Sequence, residues 1–178
     1  MTDDLRTTSP AYQPDRPGVK AQWIGFFLWL GVTFIASAVG GYASVNARNF
    51  YSELVRPGWF PPGSVFGPVW MVLYTMMGIA AWLVWREGGF RLASAALWLY
   101  LVQLAVNALW SWTYFQWKSG PLSFGVIVLL WVLIIMTIFA FQKIRPLATG
   151  LLVPYLLWVS FAAVLNFVTW RLNPTILG

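Results

Sequence analysis

The sequence contains no cysteine and no histidine, and it has only five acidic residues. Without cysteine there is no disulfide, thiolate nucleophile or sulfur metal ligand. Without histidine the chain lacks the commonest metal ligand and the usual general base. Since no charged residue lies in the middle of an apolar run either, hydrolysis within the membrane by a Ser-His-Asp triad, a metal centre or a carboxylate pair is excluded.

Charge is also scarce, at 9% of residues, whereas 60% of the residues are hydrophobic. A soluble domain carries about 25% charged residues. A chain this apolar would expose large hydrophobic patches in water, so lipid is its expected solvent. The net charge of +6 comes from single basic residues between apolar runs, a pattern typical of membrane-surface anchors.

Five apolar runs follow a polar, proline-rich tail at residues 1–20. Each run has about 20 residues or more, enough to cross about 30 Å of hydrocarbon as a helix. None alternates with period two, which disfavours a barrel. The sequence therefore predicts an all-α integral membrane bundle of five transmembrane helices within residues 21–178. The predicted spans are 22–45, 66–85, 92–117, 121–142 and 147–170.

The charged residues lie in the tail, the connections and the span ends. A proton pump or ion-coupled transporter usually needs charged groups inside the membrane, so active transport is disfavoured. Seven basic residues fall on the side of the tail and the second and fourth connections, against four on the other side. The positive-inside rule therefore favours an inward N-terminus.

Aromatic residues are abundant, with 13 tryptophans. Those near span ends fit an interfacial belt: Trp23, Trp82, Trp85, Trp117 and Trp170. Trp131 lies within the fourth span, but no polar residue accompanies it on that helix, so packing or lipid contact is its simpler interpretation.

Three spans carry patterns that can outline a pocket. Trp70 and Tyr74 share a face of the second span. A polar stripe follows the third span, with Trp110 beside it: Gln103, Asn107, Ser111 and Tyr114. The fifth span has a ladder at four-residue spacing: Pro154, Trp158, Ala162 and Asn166. Hydrogen-bonded packing between helices is the alternative interpretation. A pocket here would take a flat, apolar, lipid-soluble ligand.

The first span carries a row of small residues, Ala36, Gly40 and Ser44. Such a row lets two helices approach closely. The contact can lie within the bundle or between two copies of the chain, and the sequence leaves both open.

Three motifs together resemble the translocator protein family, also known as tryptophan-rich sensory proteins. The first follows the first span and enters the second: Arg56–Phe60 with Pro61-Pro62, Phe66-Gly67-Pro68-Val69-Trp70 and Leu73-Tyr74. The others lie in the third and fifth spans: Gln103-Leu104, Asn107, Trp110 and Phe115, then Val153–Trp158, Phe161-Ala162 and Leu165-Asn166. The resemblance runs in order from about Trp23 to Asn173.

The resemblance implies a five-helix fold, often dimeric, that binds porphyrins and other flat ligands in a membrane, here that of a bacterial cell envelope. It implies no intrinsic cofactor. It also implies light-dependent breakdown of protoporphyrin by two tryptophans, which the motifs match to Trp70 and Trp158. Tyr51, Asn107, Trp110 and Ala162 match pocket positions, and a lid is implied at Trp59, Pro61 and Pro62. The sterol-recognition pattern of animal members lacks its tyrosine here, because Phe167 stands in that place.

Three functions follow as expectations. The first is a tetrapyrrole-binding protein linked to stress responses, which also degrades its ligand in light. The second is a passive carrier of porphyrins or lipids. The third is a sensor or scaffold whose ligand controls a partner.

Overall fold

The computed structural model describes residues 16–178, so most of the predicted tail lies outside it. Residues 16–18 precede the first helix, and no strand occurs within the described range. Five long helices and two short ones follow in chain order: α1 (Val19–Ala43), α2 (Ala47–Glu53), α3 (Phe66–Trp85), α4 (Gly89–Ser111), α5 (Gly120–Gln142), α6 (Pro146–Leu172) and α7 (Pro174–Leu177). A 3₁₀ turn at Gly63–Val65 leads into α3.

The five long helices, α1, α3, α4, α5 and α6, are each long and apolar enough to cross a membrane. The prediction of an all-α membrane bundle with five spans is therefore confirmed. α4 continues into one π-helical turn, Trp112–Gln116, before α5 begins. A π-helical turn changes the direction of the side chains that follow it. Here the turn forms the end of the third span, next to the end of the first span. Gln116 Nε2 donates to the Ala43 carbonyl at 2.6 Å.

The spans form a closed ring in the order α1, α3, α6, α5, α4, with each helix packed against the next. Short connections explain why α4 and α5, and α5 and α6, are antiparallel neighbours. The order is not the chain order, because α6 lies between α3 and α5. All polar backbone groups of a lipid-facing span must be satisfied within it, which is why these segments are helical.

Small residues allow α1 to approach its two neighbours closely. A side chain at Gly78 on α3 would place its Cβ 2.7 Å from Leu30 Cδ2 and 3.3 Å from Leu30 Cα. At Gly40, in the predicted row of small residues, a Cβ would lie 3.1 Å from Ser111 Oγ. Gly40 of that row therefore packs against α4 inside the bundle.

The first loop is held on one end of the bundle. Val55 N–H donates to Asn173 Oδ1 at 2.8 Å, and Asn173 Nδ2 donates to the Val55 carbonyl at 2.8 Å. Phe50 of α2 is buried against Tyr114, with ring centroids 5.5 Å apart. These contacts place α2 and the loop over the ends of α4 and α6.

We predict that Gly78→Leu destabilises the bundle by about 1–3 kcal/mol, because overpacking must push α1 away from α3. The measurement is thermal unfolding of the detergent-solubilised protein followed by circular dichroism. Gly31→Leu is the matched control, since a Cβ at Gly31 meets no atom within 4 Å. Equal melting temperatures for the two variants would contradict the close α1–α3 contact.

Candidate functional site

A cavity of about 600 Å³ lies in the half of the bundle that faces the first loop. This volume is within the range of small-molecule sites, about 300–1,000 Å³. α1, α3, α4 and α6 surround it, and α5 contributes no side chain. The lining residues are Ser37, Gly40, Gly41, Ser44, Ala47, Arg48, Tyr51, Arg56, Phe60, Gly63, Ser64, Phe66, Gly67, Trp70, Met71, Tyr74, Asn107, Trp110, Ser111, Phe115, Trp158 and Ala162.

One aromatic wall of the cavity is built from α3 and α4. The Trp70 ring centroid lies 5.5 Å from that of Tyr74 and 6.4 Å from that of Trp110. Trp110 in turn stacks on Tyr114, with 6.0 Å between centroids and 15° between planes. Rings spaced in this way offer flat apolar faces to a ligand.

A second aromatic wall joins α6 to the first loop. Tyr51 lies 4.9 Å from Phe60 and 6.0 Å from Phe66, measured between ring centroids. The Phe66 ring lies 5.8 Å from that of Trp158 on α6. Burial raises the pKa of the Tyr51 phenol well above its ordinary value, and Tyr114 adds to the effect. Tyr51 is therefore a neutral hydrogen-bonding group at physiological pH.

The inner end of the cavity is closed by a neutral hydrogen-bonded chain across three helices. The Tyr74 hydroxyl donates to Asn107 Oδ1 at 2.6 Å. Asn107 Nδ2 donates to the Tyr155 hydroxyl at 2.7 Å, and that hydroxyl donates to Gln103 Oε1 at 3.0 Å. Satisfied polar chains of this kind fix helix positions in an apolar interior. Tyr74 and Asn107 reach the cavity, whereas Tyr155 and Gln103 lie behind them.

Two indole N–H groups on the cavity walls have no partner. Trp110 Nε1 and Trp158 Nε1 are buried and make no hydrogen bond within residues 16–178. A buried donor without a partner costs about 1–3 kcal/mol. Both rings line the cavity, but their N–H groups are covered by protein atoms, so these indoles offer a ligand their ring surfaces.

The structure brings seven of the eleven predicted site residues together on the cavity wall. They come from α2, α3, α4 and α6: Tyr51, Trp70, Tyr74, Asn107, Trp110, Trp158 and Ala162. The predicted polar stripe of α4 faces inward, as Gln103 and Asn107 are each 1% exposed.

The other four predicted residues do not line the cavity. Asn166 turns toward α5, where its Nδ2 donates to Ser123 Oγ at 3.0 Å. Trp59 is half exposed on the loop, with its ring centroid 6.0 Å from that of Phe161. Pro61 and Pro62 shape the loop without contributing to the wall. Within residues 59–62, Phe60 is the residue that lines the cavity.

Residues that the sequence interpretation missed also line the cavity. Arg48 and Arg56 lie at its mouth, and Phe60, Phe66 and Phe115 complete the aromatic walls. The small residues of α1 supply the remaining side. The sequence pattern of these small residues fits a dimer contact equally well. Their place on the cavity wall becomes visible only from the packing of α1 against α4.

Trp131 lies outside the cavity on the lipid-facing side of α5. Its Nε1 donates to Ser160 Oγ on α6 at 2.9 Å. The hydrogen-bond partner of Trp131 therefore lies on the neighbouring helix α6 and not on α5. Trp131 serves as a packing residue.

Comparisons with known proteins give one consistent result. The sequence profile described as the TspO/MBR family matches residues 28–171. "Tryptophan-rich protein TspO" of Chlorobaculum tepidum is 41% identical over 151 residues, covering 83% of this chain and 92% of that protein. "Translocator protein" of Sus scrofa is 37% identical over 163 residues, covering 82% and 91%. "Tryptophan-rich sensory protein" of Cereibacter sphaeroides is 36% identical over 148 residues, covering 81% and 91%.

We predict that Tyr155→Phe destabilises the protein by about 1–3 kcal/mol, because Asn107 Nδ2 and Gln103 Oε1 then lose their shared partner. Thermal unfolding in detergent measures the effect. Tyr42→Phe is the control, as Tyr42 is 71% exposed on α1. A Tyr155 variant as stable as the Tyr42 variant would show that the chain does not hold the helices.

Proposed function

The chain belongs to the TspO/MBR family, and from this premise we propose that it is a membrane receptor for tetrapyrroles such as protoporphyrin. The observation that carries the proposal is the cavity of about 600 Å³ and its lining of tryptophan, tyrosine and phenylalanine rings. A porphyrin is a flat π-system with polar atoms at its edge. Tryptophan and tyrosine faces can stack on such a ring.

The neutrality of the inner cavity supports an apolar ring as its occupant. Its deep polar groups are phenol and amide groups that are already hydrogen-bonded to one another. Burying a charge against them would be costly. We expect the ligand to bind with micromolar affinity or better, about −8 kcal/mol.

We also propose that the chain lies in a bacterial cell envelope and forms a homodimer there, as expected from the family resemblance. The names of relatives, "Translocator protein" and "Tryptophan-rich sensory protein", describe those proteins. A passive carrier is disfavoured here because fully buried side chains fill the other half of the described bundle, among them Met77, Leu97, Tyr100 and Phe141. A ligand-responsive sensor remains compatible with a cavity covered by a loop.

A second proposed activity is light-driven breakdown of the bound porphyrin. Trp70 and Trp158 both line the cavity, so a ligand in it would contact the two indoles. Indole is the most oxidisable side chain available, since cysteine and histidine are absent. The cavity wall has no carboxylate to assist a thermal acid–base mechanism, so we expect negligible turnover in the dark.

We predict that Ala162→Leu weakens protoporphyrin binding about tenfold, since the larger side chain fills space beside Trp158 and must be accommodated at a cost. The change in Soret absorbance on titration measures the affinity. Trp131→Phe is the control, because Trp131 lies outside the cavity. Unchanged affinity in the Ala162 variant would locate the binding site elsewhere.

We predict that Trp70→Phe and Trp158→Phe retain most of the binding but slow photobleaching of bound protoporphyrin. Phenylalanine preserves a stacking face and is far harder to oxidise. The measurement is pigment loss under constant illumination, with mass spectrometry of the products. Bleaching at the wild-type rate with the same products in both variants would make the protein a receptor without this activity.

A further inference from the structure

Arg48 and Arg56 line the mouth of the cavity, and neither has an ion-pair partner within residues 16–178. The two carboxylates in this part of the chain are engaged elsewhere. Glu53 lies 3.5 Å from Lys118 Nζ, and Glu87, at the opposite end of the bundle, pairs with Arg16 and Arg145. The mouth therefore carries two positive charges and no negative one.

The position of these arginines differs from that of simple interfacial anchors. Arg171 lies at the same end of the bundle, on the last turn of α6, but does not reach the cavity. Arg56 instead lies over the Phe60 ring, with Cζ 5.3 Å from the centroid, and Phe60 is itself a wall residue. This contact holds a guanidinium at the rim while its N–H groups remain available.

The two ends of the cavity therefore differ in charge. Its deep end is aromatic and neutral, whereas its mouth offers two guanidinium groups. Guanidinium binds carboxylate through two parallel hydrogen bonds, and this geometry favours arginine over lysine. A carboxylate at the deep end would be buried without a cation, which is costly.

We propose that Arg48 and Arg56 are specificity-determining residues that select flat ligands with carboxylates along one edge. The two arginines hold that edge at the mouth while the apolar edge enters first. The inference rests on the proposed tetrapyrrole function and adds the orientation of the ligand and the chemistry of its outer edge. Protoporphyrin IX fits this description, because its two propionates lie side by side on one edge of the ring.

The test compares protoporphyrin IX with its dimethyl ester, which keeps the ring and removes both charges. Soret titrations are made on the full-length protein in a neutral detergent at pH 7.5. We expect the diacid to bind wild-type protein about 10-fold more tightly than the ester, about 2- to 5-fold from each exposed arginine. Added salt should reduce this preference, because exposed charges are screened.

The variants are Arg48→Gln, Arg56→Gln and the double substitution, with Arg171→Gln as the control. Each single substitution should lower the affinity for the diacid only, and the double variant should bind the diacid and the ester equally. Ester affinity at the wild-type level also shows that the variants keep an intact cavity. Arg171→Gln should keep the full preference.

Three results would overturn the proposal. The first is equal binding of diacid and ester by wild-type protein, which refutes the arginine role while the tetrapyrrole function stands. The second is a preference that survives in the double variant. The third is competition by uroporphyrin, with carboxylates all around its ring, as strong as that by protoporphyrin. If wild-type protein binds neither diacid nor ester, the proposed function itself fails. If one variant does not fold, the other single variant and Arg171→Gln still decide whether the preference depends on the arginines at the mouth.

Discussion

The hydrogen-bonded chain from Tyr74 through Asn107 and Tyr155 to Gln103 joins α3, α4 and α6 in the middle of the bundle. Lipid offers these groups no water as a hydrogen-bond partner, so each must form its hydrogen bonds inside the protein. The chain therefore fixes the three helices against one another. It also sets the inner limit of the cavity, since two of its members face the open space and two lie behind.

The same constraint explains the character of the site. Charges are excluded from the interior, so the recognition groups available there are aromatic faces, amides and hydroxyls. Trp110 and Trp158 retain donors without partners, which a packed interior normally avoids. The charged side chains that line the cavity are Arg48 and Arg56, and both lie at its mouth beside the first loop. The proposed ring stacking inside the cavity and the proposed carboxylate recognition at its mouth thus both follow from the exclusion of charge from the interior.

The first loop links fold and function. Asn173 holds Val55 through two hydrogen bonds, and Phe50 packs on Tyr114, so the loop is fastened to the ends of α4 and α6. This attachment brings Tyr51 and Phe60 over the cavity beside Phe66. The cavity supports the proposed ligand-binding role, and the inventory of its side chains restricts any chemistry to what aromatic groups can support.

The sequence by itself determined the five membrane helices, because hydrophobic length is a local property that needs no knowledge of neighbours. It also indicated the inward stripe of α4 and six residues of the cavity wall, since spacing along one helix defines a face, and the family resemblance added Tyr51. Only the tertiary structure decided the ring order, in which α6 lies between α3 and α5. It turned Asn166 toward Ser123, set Gly40 against Ser111 and brought both arginines to the mouth. These outcomes depend on which distant segments pack together, and hydropathy and spacing along one segment do not encode that choice.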